Sequence, residues 1–158
     1  MPNGPKRFWL IAGPNGVGKT TYAFKNVPAV SGSAHFVNLD EIARGLSPLD
    51  PKLAEAAAAR TALIRAREFI ARGDVFTMET TLSGQAHLAL MREARAHGLS
   101  PALLYFSARS PDICLERIAR RVAEGERGAL SHFDEDCLNG AHSAVAEFVR
   151  ALPIRLRA

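Results

Sequence analysis

The chain has 158 residues, 47% of them apolar and 23% charged. That balance suits one soluble domain with its own core and excludes a disordered or fibrous chain. A formal charge of +4 suits an anionic ligand, but the arginines are spread out with no basic run rich in aromatics. That spread argues against nucleic acid as the main partner.

No apolar run reaches membrane-spanning length, and the N-terminus shows no signal-peptide core. A cytoplasmic protein without a membrane partner is the expectation. Cys114 and Cys137 form no C-x-x-C pair and read as buried thiols in a reducing compartment. The histidines at 35, 87, 97, 132 and 142 lack metal-ligand spacing and receive no chemistry.

Residues 1–6 hold Pro2, Gly4 and Pro5 and read as a loose end. Residues 8–12 form a short apolar strand. The next stretch is Gly13, Pro14, Asn15, Gly16, Val17, Gly18, Lys19, Thr20, a G-x-x-x-x-G-K-T phosphate-binding loop. Its glycines let the backbone curl so that N–H groups point at phosphate oxygens, and a helix starting near Gly18 adds its dipole. Lys19 is suited to the β- and γ-phosphates and the Thr20 hydroxyl to Mg²⁺. Residues 21–25, opening with Thr21, continue as helix, and Pro28 and Gly32 mark 26–33 as a connection.

A second strand spans 35–39 and delivers Asp40 and Glu41 at its end. Asp40 is placed to cap a short helix over 41–44. Residues 46–49 break the chain, and Asp50 with Pro51 restarts it as a helix to 72 that Gly73 ends. Leu53, Ala57, Ile64 and Ala71 are its expected core positions. A third strand spans 75–79, a loop 80–84, a helix 85–97, and a nearly all-apolar fourth strand 102–106, which suggests burial on both faces. Leu82-Ser83-Gly84-Gln85 resembles an ABC-type signature with one glycine missing, yet the following strand ends without an acid. Ser83 and Gly84 therefore read as a helix start.

Ser110, Pro111 and Asp112 open another helix, which carries Arg117, Arg120 and Arg121. Residues 124–133 are polar, 135–152 suit a last helix, and 154–156 a short fifth strand. Alternating strands and helices predict a single three-layer α/β/α domain over 1–158, with a mainly parallel sheet of about five strands and ligands above the strand C-termini.

That rule brings the phosphate loop, Asp40 and the run Glu79, Thr80, Thr81 together. Transfer of phosphate to an alcohol gains from a carboxylate that takes the hydroxyl proton. Asp40 and Glu79 are the candidates, and either can instead hold the metal's water shell. Arg117 and Arg121 share a helix face, where they can converge on phosphate or pair with Glu116 and Glu124 in solvent. Arg60 and Arg67 can also face the crevice.

With these residues placed, the chain resembles the zeta toxin family of P-loop kinases, most of all its small bacterial members labelled predicted ABC-type ATPases. The matching pieces are AGPNGVGKT (12–20), NLDEIAR (38–44), ETTLSG (79–84), CLERIARRV (114–122) and AEG (123–125). The resemblance implies an ATP- and Mg²⁺-dependent kinase acting on the sugar 3′-hydroxyl of UDP-N-acetylglucosamine. It implies Asp40 as base, Arg44, Glu79, Thr80 and Thr81 on the substrate side, and Arg117 and Arg121 in a lid around 110–134. It also implies an antitoxin protein as a partner. Two departures stand out. Residues 126–130 read ERGAL where relatives carry Gly-His and then a pair of arginines, and the family's carboxylate on the long helix has no counterpart near Leu63. The alternatives from the residues are a kinase for another hydroxylated metabolite, or a nucleotide-binding ATPase or switch module.

Overall fold

A computed structural model describes residues 5–82 and 85–123. Among them four parallel strands form one sheet in the order β2–β3–β1–β4: β1 Arg7–Ala12, β2 Phe36–Val37, β3 Phe76–Thr80 and β4 Ser100–Tyr105. The helices between them are α1 Lys19–Ser31, α2 Leu39–Leu46, α3 Glu55–Arg72 (entered through a 3₁₀ turn at Pro51–Ala54), α4 Ala86–Ala96 and α5 Pro111–Ala123. The expected fifth strand and last helix lie outside the described residues. Among those residues no helix is long and apolar enough to cross a membrane.

Period-two alternation sorts β1 between two layers. Phe8, Leu10 and Ala12 face the main core with α3 and α4, while Ile11 packs with Ala23 and Val27 of α1. The Phe8 and Phe76 rings stack at 4.4 Å between neighbouring strands. Burying each such ring stabilises the fold by about 1.5–3 kcal/mol. β4 is half-buried throughout rather than covered on both faces, since it lies at the sheet edge of the described residues.

Three local expectations give way to tertiary contacts. The sequence marks 26–33 as a connection, yet α1 continues through Pro28 to Ser31. Proline removes one helical hydrogen bond, and the burial of Val27 against Ile11 and Ala23 offsets it. The second strand stops at Val37, because Asn38 turns the chain into α2. The Asn38 side chain accepts the Glu41 N–H at 3.0 Å, so the capping role expected of Asp40 belongs to Asn38.

On α3 the core-facing stripe is Ala58, Ala62, Ala66, Phe69 and Ile70, whereas Ile64 is 59% exposed, Ala71 is exposed, and Leu53 in the preceding 3₁₀ turn is 82% exposed. The core-facing side of the helix is thus roughly opposite the expected one. Its alanines let α3 approach the layer beneath closely, Phe69 and Ile70 fill the core near its C-terminal end, and Ile64 is left to solvent.

Candidate active site

The phosphate loop joins β1 to α1, and its shape demands glycine at two places. Gly13 has φ 146° and Gly16 φ 79°. A Cβ on Gly13 would lie 2.3 Å from the Phe106 carbonyl oxygen, and one on Gly16 2.7 Å from the Cys114 carbonyl oxygen. Backbone closes on the loop from β4's end and from α5, leaving no room for a methyl group. Gly18 has open space around its would-be Cβ despite its φ of 103°. Gly13→Ala therefore adds a clash to strain of about 1–3 kcal/mol, while Gly18→Ala adds strain alone. Thermal unfolding of the two variants should show Gly13→Ala lowering Tm at least twice as far. Equal losses would mean that the Phe106 contact does not constrain the loop.

Lys19 is only 5% exposed, and its Nζ donates to the Pro14 carbonyl at 2.9 Å. That carbonyl also accepts the Val17 N–H at 3.4 Å, which tightens the turn. Thr20 Oγ1 donates to Glu79 Oε1 at 2.8 Å, and Asn38 Nδ2 donates to Glu79 Oε2 at 2.8 Å. Both carboxylate oxygens of Glu79 are thus engaged, one by the loop and one by the cap of α2. A threonine hydroxyl that spends its proton on Glu79 keeps its lone pairs for a cation. With a carboxylate directly behind it, the donor set fits Mg²⁺, which binds through few protein oxygens plus phosphate and water.

Two cavities meet at this point. A cleft of about 740 Å³ runs along Gly16, Gly18, Thr20 and Thr21 and is bordered by Arg44, Arg117 and Arg120. A pocket of about 210 Å³ opens on the other side, with Asn15, Lys19, Glu79, Thr80 and Thr81 at its polar end. Its floor is Ala59, Ala62 and Leu63 of α3, with Met78 and Ala86. Among the described residues, Asp40 alone lines both.

These features have counterparts in known proteins. The model of an AAA domain family, AAA_33, matches residues 8–147. The chain belongs to this AAA domain family. It is 32% identical over 127 residues to an uncharacterized protein of Haemophilus influenzae, covering 76% of this chain and 89% of that one. A solved structure of a candidate kinase from Chloroflexus aurantiacus superposes with TM-score 0.65 at 20% identity, over 98% of this chain and 85% of that one. A chain of the Pnkp1/Rnl/Hen1 RNA repair complex does so with TM-score 0.61 at 12% identity, over 96% of this chain and 48% of that one. The fold of this AAA domain is that of the P-loop kinases, an α/β layering around a parallel sheet.

The AAA domain distributes its expected site residues unevenly. Lys19, Thr20, Asp40, Glu79, Thr80 and Thr81 converge at the C-terminal ends of the strands. Arg117 reaches over the loop, its guanidinium 3.4 Å from the Gly16 carbonyl oxygen and 3.5 Å from that of Val17. The side chain of Arg121 lies outside the described residues, and Arg120 is the second arginine of α5 at the cleft. Arg44 lines the wide cleft rather than the pocket, paired with Glu41 at 2.7 Å. Arg67 turns away to form a forked contact with Glu93 of α4, at 3.0 and 3.2 Å. Arg60 is exposed and borders neither cavity.

Sequence reasoning missed Asn38 and His87. Asn38 is buried and links the start of α2 to the end of β3, so it positions Asp40 and Glu79 together. An asparagine directly before an acidic first turn is the signal that could have found it. His87 lines the pocket, with its Nε2 2.8 Å from Thr80 Oγ1, and that hydroxyl also accepts the Leu82 N–H at 2.9 Å. Leu82 is the non-glycine residue with positive φ, 60°, among the described residues, so these contacts hold a strained turn beside the pocket. No spacing rule marks such a histidine.

Burial pushes the Glu79 carboxyl above the ordinary carboxylate range, and the Asp40 charge adds to the rise. The hydrogen bonds from Thr20 and Asn38 and the charge of Lys19 act against it. The native state therefore binds this proton more tightly than the unfolded chain does. Its contribution is complete below the ordinary carboxylate range and is lost as pH rises through the raised native value. Glu79→Gln removes that dependence. Denaturant unfolding across the window should show the variant gaining stability relative to wild type as pH rises. A constant difference would mean that Glu79 titrates as it does in the unfolded chain.

Proposed function

We propose that this chain is an ATP-dependent kinase that transfers the γ-phosphoryl group to a hydroxyl of a small molecule. The observation that carries this reading is the position of Asp40, on the border between the glycine-lined cleft and the pocket beyond it. A carboxylate bordering a pocket with apolar lining suits an organic acceptor.

Bound Mg·ATP supplies the phosphoryl group and the metal's charge. The chain's residues do the rest. The loop's backbone and Lys19 hold the phosphates, Thr20 offers its hydroxyl oxygen to the cation, and Glu79 anchors Thr20. Asp40 takes the proton of the acceptor hydroxyl as its oxygen bonds to phosphorus and ADP departs. Arg117 and Arg120 offset charge on the cleft side.

The zeta-toxin resemblance supports the sugar 3′-hydroxyl of UDP-N-acetylglucosamine as the acceptor, a cytoplasmic setting and an antitoxin partner. The pocket's volume favours the second reading, a smaller hydroxylated metabolite: 210 Å³ falls below the roughly 300–1,000 Å³ of sites for larger ligands. The test is purified protein with Mg·ATP and UDP-N-acetylglucosamine, read by mass spectrometry. A product one phosphoryl group heavier, absent with Lys19→Met, supports the toxin-type acceptor. Normal ATP binding without that product directs the search to smaller alcohols. Steady ATP hydrolysis that no alcohol stimulates would overturn the kinase reading.

A further inference from the structure

The two sides of Asp40 differ in charge as well as in size. On the cleft side Lys25, Arg44, Arg117 and Arg120 outnumber Asp40 and Glu41, which leaves a net cationic rim suited to the phosphates of a nucleotide. On the pocket side the charges bordering the space are the carboxylates of Asp40 and Glu79 and the ammonium of Lys19, among the described residues. Lys19 is committed to the phosphate loop through Pro14. An anionic acceptor would thus place its charge against two carboxylates, in a partly buried space where repulsion is weakly screened.

Size and floor point the same way. The 210 Å³ of the pocket equals about seven water molecules of liquid volume, room for a body of hexose size. Ala59, Ala62, Leu63, Met78 and Ala86 give that body an apolar bed. The hydrogen-bonding groups of the lining include Asn15, Asp40, Thr80, Thr81 and His87. Such a mixed lining suits a compact alcohol, which carries both C–H and O–H groups.

We propose that the acceptor is an uncharged or amine-bearing alcohol of about hexose size, and that phosphate-bearing acceptors are rejected by the carboxylates at the pocket mouth. This rests on the kinase reading. The step balances as for any alcohol: the acceptor O–H proton passes to Asp40, the new O–P bond forms, and the bond to the ADP oxygen breaks.

The test works with an unidentified acceptor. A low-mass metabolite extract is split on an anion exchanger into a flow-through of neutral and cationic compounds and a retained anionic fraction. The full chain is incubated with each, with Mg²⁺ and ATP labelled at the γ-phosphate. Label incorporated into new organic phosphates should be at least about tenfold greater with the flow-through, and absent with Lys19→Met. Label arising mainly from the retained fraction would leave the kinase reading intact and overturn this inference. Label from neither fraction would overturn the kinase reading, and this inference with it. A matched pair serves as a defined probe: free N-acetylglucosamine should exceed its UDP conjugate in kcat/KM by at least about tenfold. Equal or better use of the conjugate would overturn the assignment.

Discussion

Asp40→Asn should lower kcat by about 10²–10⁴-fold while Mg·ATP affinity stays within about twofold. The reasoning begins with what Asp40 does not do. The N-cap of α2 is Asn38, whose side chain accepts the Glu41 N–H, so the Asp40 carboxylate carries no capping load. The side chain is exposed and lines both cavities. The amide is nearly isosteric, so packing, α2 and the glycine loop should persist and the thermal midpoint should move little. What disappears is a proton acceptor at the pocket mouth. Steady-state kinetics with the identified acceptor, together with a nucleotide-binding titration, separate the alternatives. Unchanged turnover would show that Asp40 takes no proton. A matching loss of nucleotide affinity would assign it to the metal's water shell instead.

Lys19→Met should lower phosphoryl transfer by about 10²–10³-fold, or roughly 3–4 kcal/mol of barrier. Lys19 is almost fully buried with its ammonium held on the Pro14 carbonyl, so the charge is pre-positioned inside the loop rather than recruited from solvent. In a water-poor site a fixed cation is worth more than one at the surface. Methionine preserves most of the volume and limits any cavity. The lost cation also removes a charge that lowers the Glu79 pKa, so Glu79 should titrate still higher in this variant. Single-turnover transfer measures the first effect, and NMR titration of the Glu79 carboxyl the second. A variant with wild-type transfer would exclude Lys19 from the chemistry.

The legible part of the chain is the part whose physics is local. Glycines at 13, 16 and 18, followed by Lys19 and Thr20, prescribe a loop whatever the rest of the chain does, because backbone freedom and side-chain chemistry travel with each residue. The strand cores and the helix ends at Asp50, Gly73 and Ser110 are legible for the same reason. Helix α1 runs through Pro28 against expectation, because local propensity counts a missing hydrogen bond but not the burial of Val27.

Sequence by itself thus determined a parallel α/β domain with a phosphate loop, and which carboxylates stand at strand ends. Only the tertiary structure decided their roles. Thr20 meets Glu79 across 59 residues of chain, and Asn38 meets it across 41, contacts that exist because β1, β2 and β3 lie side by side. The rotation of α3, which turns Leu63 toward the pocket and Ile64 to solvent, follows from how closely its alanines let it approach the core. Pocket size and charge are properties of surfaces from distant segments brought together. No single segment carries them, because packing free energy is settled between elements and not within them.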